Sequence, residues 1–196
     1  MLIGITGNIG SGKSTVSKFL SNAGYKVFNA DEIGKKVLLR GQKGYDAVLE
    51  RFGRQILTEK GEIDTKKLAS IVFSDKKKLE ELTSITHPLI VEEIESIKTA
   101  YRNWIVFVEA AVLVEYGWQR LFDFIVTVFA YRGQRLLRAS KKFGLKEAIN
   151  RDSFQLPYRE KLKYSDFLIC NTKDMLHLRN QILSLIHYLE ELKACE

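Results

Sequence analysis

Cysteine, proline and histidine are all scarce in this 196-residue chain, which has two, two and three of them respectively. Cys170 and Cys195 have no metal-ligand spacing around them, which excludes a disulfide framework and a thiolate metal centre. Two thiols in a chain of this length read as a reduced, cytoplasmic protein. The shortage of proline excludes a proline-rich linker, and no internal repeat or low-complexity tract divides the chain. No segment approaches the roughly 18 apolar residues of a membrane span. No basic leader precedes the short apolar run Met1 to Ile5, which breaks at Gly7, so the chain is expected to open on a strand and not on a signal peptide. The expectation is one soluble domain with no membrane or nucleic-acid partner, monomeric or at most weakly associated.

Lysine and arginine total 31 against 24 acidic residues, a formal charge of +7. Such a surface attracts anions. Nucleotides, phosphorylated metabolites and nucleic acids all qualify, so charge alone selects nothing. Apolar residues make up 45% of the chain, the mix of an ordinary globular protein.

Leu2 to Thr6 is nearly continuous in apolar character, as in a strand buried on both faces of a parallel sheet. A glycine-rich turn follows, then a helix from Lys13 to Ala23, then a second strand from Tyr25 to Asn29. Helical spacing returns over residues 31–40. From about Gly44 to Arg102 the spacing predicts four helices. Tyr45, Val48, Leu49 and Phe52 line the first, Asp64 and Asp75 cap the next two, and Pro88 opens the fourth. Strand signal resumes at Trp104 to Val108 and at Phe124 to Phe129. A basic helix (Gln134 to Lys142), a polar segment over 143–157, a strand at Phe167 to Cys170 and an amphipathic closing helix from Met175 complete the chain. Strands alternating with helices predict an α/β fold with a five-stranded, mainly parallel sheet flanked by helices. A helical insertion is expected over about 41–102 and a lid over about 140–158.

Residues 7 to 14, Gly-Asn-Ile-Gly-Ser-Gly-Lys-Ser, match G-x-x-x-x-G-K-[ST] in full, with a buried strand before and a helix after. Glycines let the backbone wrap a polyphosphate while successive N–H groups form an anion nest at a helix N-terminus. Asn8, Ile9, Gly10, Ser11, Gly12, Lys13, Ser14 and Thr15 are the candidate ATP-binding residues. Lys13 supplies mobile charge at the β- and γ-phosphates, and Ser14 offers a hydroxyl to Mg²⁺. The guanine signature N-K-x-D is absent, which argues against a GTPase.

Asp31 follows the second strand, at the sheet edge where ligands of α/β folds gather. It suits a base that accepts or orients the proton of an attacking hydroxyl, and it equally suits a cap on the helix beginning near Glu32. The basic helix and the segment beyond it offer Arg132, Arg135, Arg138, Lys141, Lys142, Arg151, Arg159 and Lys161. Some of these could close over a transferring phosphoryl group, while most belong to a solvated face.

These features together resemble the dephospho-CoA kinase family, over nearly the whole chain from Leu2 to about Leu189. The phosphate loop is similar to the family's, with Asn8 where Gly is usual. N-A-D-E-I at 29 to 33 resembles D-A-D-x-I, with Asn29 in place of the first Asp and Asp31 matching the second. R-F-G at 51 to 53, G-E-I-D, Leu68, Val72-Phe73 and His87-Pro88 resemble the family's CoA-side domain. V-E-A-A-V-L-V-E at 108 to 115 resembles D-x-P-L-L-F-E, and Gln155, Pro157, Lys161, Asp166, Ile169 and Asn171 resemble Q-x-P … K … D-x-x-I-x-N. The lid looks about two residues short, with Arg138-x-x-x-Lys142 where the family has an Arg-x-x-x-Arg pair.

The resemblance implies a P-loop kinase fold with a CoA domain. It implies ATP-dependent phosphorylation of the ribose 3′-hydroxyl of dephospho-CoA, the last step of coenzyme A synthesis. Another small-molecule P-loop kinase, acting on a nucleotide or sugar acid, is the alternative. The residues implied are Asp31, Lys13, Arg138 and Lys142 for catalysis, Asn171 with the loop for ATP, and Asp31, His87 and Glu115 for the acceptor. Ser14 and Glu109 are the candidates for Mg²⁺. Glu109 fits equally as a strand-end residue, and His87 before Pro88, taken alone, reads as a structural residue that caps or fixes a helix entry.

Overall fold

The computed structural model describes residues 1–73 and 75–195. Five strands, β1 (Leu2–Thr6), β2 (Lys26–Asn29), β3 (Val106–Glu109), β4 (Phe124–Phe129) and β5 (Phe167–Cys170), form one sheet in the order β2-β3-β1-β4-β5. β1 pairs in parallel with β3 and β4, and β4 pairs in parallel with β5. All five β1 residues are buried, as the unbroken apolar run predicts for a strand covered on both faces. The chain leaves β1 toward one side of the sheet and later returns to the other. That reversal opens a crevice at the carboxyl end of β1.

Two compact units are present. The first comprises Met1–Phe28 and Lys98–Glu196 and holds the sheet. Its helices are α1 (Lys13–Asn22), α6 (Arg132–Phe143), α7 (Leu145–Ser153), α8 (Tyr158–Leu162) and α9 (Met175–Ala194). The central core joins Ile3 and Ile5 of β1, Val16 and Leu20 of α1, Val126 of β4, and Leu178, Ile182, Leu185 and Leu189 of α9. The four α9 residues recur at helical spacing, so one apolar stripe covers the sheet.

The second unit, Asn29–Ile97, is helical, with α2 (Ala30–Lys36), α3 (Lys43–Phe52), α4 (Thr65–Phe73) and most of α5 (Lys76–Ala100). Val48, Phe52, Ile56, Leu68 and Val72 form its core. Asp64 and Asp75 cap as the sequence predicts: their carboxylates accept from Lys66 N and Lys67 N, and from Lys77 N, at 2.9 to 3.1 Å.

Pro88 corrects one expectation. It opens no separate helix but lies inside α5, a single 25-residue helix. Proline removes a backbone donor and crowds the preceding turn. Here Leu82, Thr86, Ile90, Ile94 and Ile97 make one continuous buried or half-buried stripe across it, and tertiary burial outweighs the local cost. His87 therefore fixes no helix start; it is half-buried within α5, and burial lowers its pKa. The polar stretch expected over 143–157 also differs, because residues Leu145–Ser153 form α7. The third strand starts at Val106, two residues later than its apolar run suggests.

Candidate functional site

The phosphate loop leaves β1 and ends at Gly12, the N-cap of α1, which has φ 101°. A side chain at Gly12 would collide with the Asn171 amide, and one at Gly10 (φ 72°) with the Arg135 carbonyl. Both positions combine left-handed backbone with close approach, so glycine is required twice over. The first turn of α1 has no side-chain cap and no acidic residue. Its N–H groups and the positive end of its dipole are therefore left to face an anion. The buried Lys13 side chain folds back on the loop, donating to Gly7 O at 2.8 Å and to Asn8 O at 3.4 Å.

A cavity of about 380 Å³ opens on this loop. Ile9, Gly10, Gly12, Lys13, Ser14 and Thr15 form one wall. Glu109, at the end of β3, and Arg138 and Lys142, from α6, form the rest with Ala139 and Phe143. Topology explains the gathering, since β1 and β3 deliver their carboxyl ends to the crevice and α6 follows β4. The Glu109 carboxylate accepts from Ser17 Oγ at 2.8 Å, which aims it from the strand end. The hydroxyl of Ser14 and the carboxylate of Glu109 are hard oxygens beside an anion cradle. They suit Mg²⁺, which binds through one or two protein oxygens and keeps several waters. Among the described residues, no group of three or more His, Cys, Asp or Glu converges to hold a metal by protein ligands alone.

Arg138 donates from Nη2 to Asn171 O at 3.1 Å, while its buried Nη1 has no hydrogen-bond partner among the described residues. Lys142 is exposed, its ammonium 5.1 Å from the centre of the Phe143 ring. Asn171 lies just past β5, with its amide nitrogen donated to Ser11 O at 2.8 Å.

Asn8 and Ile9 are engaged by the chain itself. Asn8 Nδ2 donates to Leu156 O at 3.1 Å, and Ile9 N donates to Gln155 Oε1 at 2.6 Å. Glu115 is likewise committed: its carboxylate meets Lys161 Nζ at 2.6 and 2.7 Å and accepts from Leu156 N at 2.9 Å. The Lys161 side chain is fully buried. Burial pulls its pKa below the usual lysine value, against the opposing pull of Glu115.

Asp31 and His87 belong to the second unit. Asp31 is exposed in the first turn of α2 and is not the cap of that helix, contrary to one of its two sequence readings. The cap is Asn29, whose Oδ1 accepts from Asp31 N at 2.8 Å and from Glu32 N at 3.3 Å. The residue in place of the family's first carboxylate thus has a structural task and leaves the Asp31 carboxylate uncommitted to capping.

The sequence reading missed Asp152 and left Arg135 within a generic basic helix. Arg135 is 4% exposed and donates from Nη1 to Asp152 Oδ1 at 2.6 Å and to Ile9 O at 3.2 Å. Its guanidinium lies 5.4 Å from the centre of the Tyr158 ring. Burial alone would raise the Asp152 carboxyl. The hydrogen bonds and charges of Arg135 and Arg132 outweigh it and hold the group below the usual carboxylate range. One signal was available: Arg135 lies four residues before Ala139, on the inward face of α6.

A sequence model of the family described as dephospho-CoA kinase matches residues 1–176. The chain is 38% identical to the dephospho-CoA kinase of Carboxydothermus hydrogenoformans over 191 residues, covering 94% of this chain and 92% of that one. Among solved structures, a Thermus thermophilus protein superposes with a TM-score of 0.82 at 30% identity, covering 98% of this chain and 97% of its own. Dephospho-CoA kinase from Campylobacter jejuni superposes with a TM-score of 0.73 at 28% identity, and 97% of each chain is covered. The P-loop kinase fold expected from the sequence is the fold observed.

Proposed function

The chain belongs to the dephospho-CoA kinase family, and from that premise we propose that it transfers the γ-phosphoryl group of ATP to the ribose 3′-hydroxyl of dephospho-CoA. The observation that carries this reading is the single cavity shared by the phosphate loop, Glu109, Arg138 and Lys142. Phosphoryl transfer needs positioning and charge neutralisation more than covalent chemistry. Loop N–H groups from Gly10 to Thr15 cradle the polyphosphate, and Lys13 leaves its loop carbonyls to meet the β- and γ-phosphates. Mg²⁺, held by Ser14 and through water by Glu109, would neutralise phosphate charge when bound.

Arg138 and Lys142 add positive charge from α6, which lines the same cavity as the loop. Arg138 can form a fork with phosphate oxygens, whereas Lys142 offers only a point charge. Asn171, already joined to Ser11, flanks the nucleotide. Asp31 accepts or orients the proton of the 3′-hydroxyl, and His87 and Glu115 serve the acceptor side, Glu115 through its hold on the loop after α7.

Among the described residues no helix is long and apolar enough to cross a membrane. A cytoplasmic monomer accords with the reading. Incubation with dephospho-CoA, ATP and Mg²⁺, followed by mass spectrometry, tests it. The expected product is heavier by one phosphate, with that group on the ribose. An acceptor panel in which another nucleotide or a sugar acid is the better substrate would overturn it.

A further inference from the structure

We infer that Gln155 and Arg135 are positioning residues for the phosphate loop: together they hold the peptide groups of Ile9 and orient the loop before nucleotide arrives. The inference rests on the ATP-binding reading of that loop. Ile9 N donates to Gln155 Oε1 at 2.6 Å, and Ile9 O accepts from Arg135 Nη1 at 3.2 Å. Both polar groups of this one residue are therefore satisfied by side chains from distant parts of the chain. Ile9 immediately precedes the left-handed Gly10, where the loop turns toward the cavity.

Backbone dihedrals at residues 9 and 10 set where the following N–H groups point. A hold on Ile9 sets them without help from a ligand, and a pre-organised loop binds more tightly because less ordering remains. The buttress extends to the backbone of α6, since a side chain at Gly10 would strike the Arg135 carbonyl. Arg135 is itself aimed by Asp152 at 2.6 Å and by the Tyr158 ring, whose hydroxyl donates to Val128 O at 2.9 Å. Beside the hold on Ile9, Asn8 Nδ2 donates to Leu156 O at 3.1 Å. The consequence is directional. The segment after α7 and the inner face of α6 determine the shape of a loop that lies more than a hundred residues earlier.

Gln155→Met keeps the length of the side chain, removes the acceptor and leaves Ile9 N–H unpaired. The test uses the full chain and measures ATP dissociation by calorimetry, KM for ATP and for dephospho-CoA, and the melting temperature. The hold on Ile9 requires ATP Kd and KM to rise about tenfold, with KM for dephospho-CoA unchanged. Asp152→Asn, which loosens the aim of Arg135 without touching Gln155, should move ATP KM in the same direction by about threefold, and carries the test if Gln155→Met does not fold. A purely structural role would lower the melting temperature and leave ATP KM alone; that result overturns the inference. Wild-type protein that fails to bind ATP overturns this inference and the nucleotide-site reading together. Wild type that binds ATP no better than Gln155→Met overturns the inference alone.

Discussion

The two compact units bury polar groups in opposite ways. In the unit that carries the sheet, Asn8, Ser11, Lys13, Arg135, Asp152 and Lys161 are all buried. Alongside exposed pairs such as Arg151–Glu147, two of its ion pairs are buried: Arg135–Asp152 and Lys161–Glu115 have side-chain exposures of 5%/8% and 0%/10%. Among the described residues of the helical unit the buried polar one is Thr86, whose hydroxyl donates to Leu82 O one turn back. Its ion pairs lie in water, as with Lys43–Glu92 at 76%/61%. A buried pair gains little net stability, because desolvation opposes the Coulomb attraction, but removing one partner is costly. The sheet unit accepts that cost where backbone direction matters, around the phosphate loop. The helical unit relies on apolar packing and can vary its surface.

The strongest challenge to that contrast is Asp31→Asn, a change to an exposed residue of the helical unit. If Asp31 serves the acceptor hydroxyl, kcat should fall by about 10²- to 10⁴-fold, while ATP affinity stays within about twofold. Steady-state kinetics and ATP calorimetry check this, and normal turnover would remove Asp31 from the mechanism.

Lys161→Met sharpens the contrast from the other side. It leaves Glu115 buried without its cation and should cost about 3–5 kcal/mol, read from urea denaturation. Adding Glu115→Gln should recover part of the loss. In the helical unit Leu68→Ala, at a position 3% exposed, should cost about 2–4 kcal/mol through a cavity and not through charge.

Asp152 predicts a pH dependence with a definite sign. Its carboxyl is held lower in the folded chain than its ordinary 3.8. The stabilisation is therefore present above 3.8 and lost as pH falls from there through the lower folded value. The gap in melting temperature between wild type and Asp152→Asn should be widest above about pH 5 and should narrow as pH falls below 3.8. A constant gap across that range would show that the pair contributes nothing through charge. The smallest effect belongs to Lys43→Ala, within about 0.5 kcal/mol, because both partners of that pair are solvated.

Several features were legible in the sequence because their physics is local. The phosphate loop declares itself through glycine spacing and its flanks. The caps at Asp64 and Asp75 follow from side-chain reach over two or three residues, and the unbroken run of β1 reports burial on both faces. Two of the local readings that failed have identifiable reasons. The stripe through Leu82, Thr86, Ile90 and Ile94 carried a helix past Pro88, and α7 was hidden by a polar composition that faces water except at residues such as Ala148 and Asp152.

The amino-acid order alone thus determined a parallel α/β scaffold, a polyphosphate cradle and the set of residue types available to a kinase. It left undecided which cation meets which carboxylate. Lys161 finds Glu115 across 46 residues, and Gln155 finds Ile9 across 146. No spacing rule spans such distances, because these partners meet only after the sheet has been ordered and α6, α7 and α8 have packed against it.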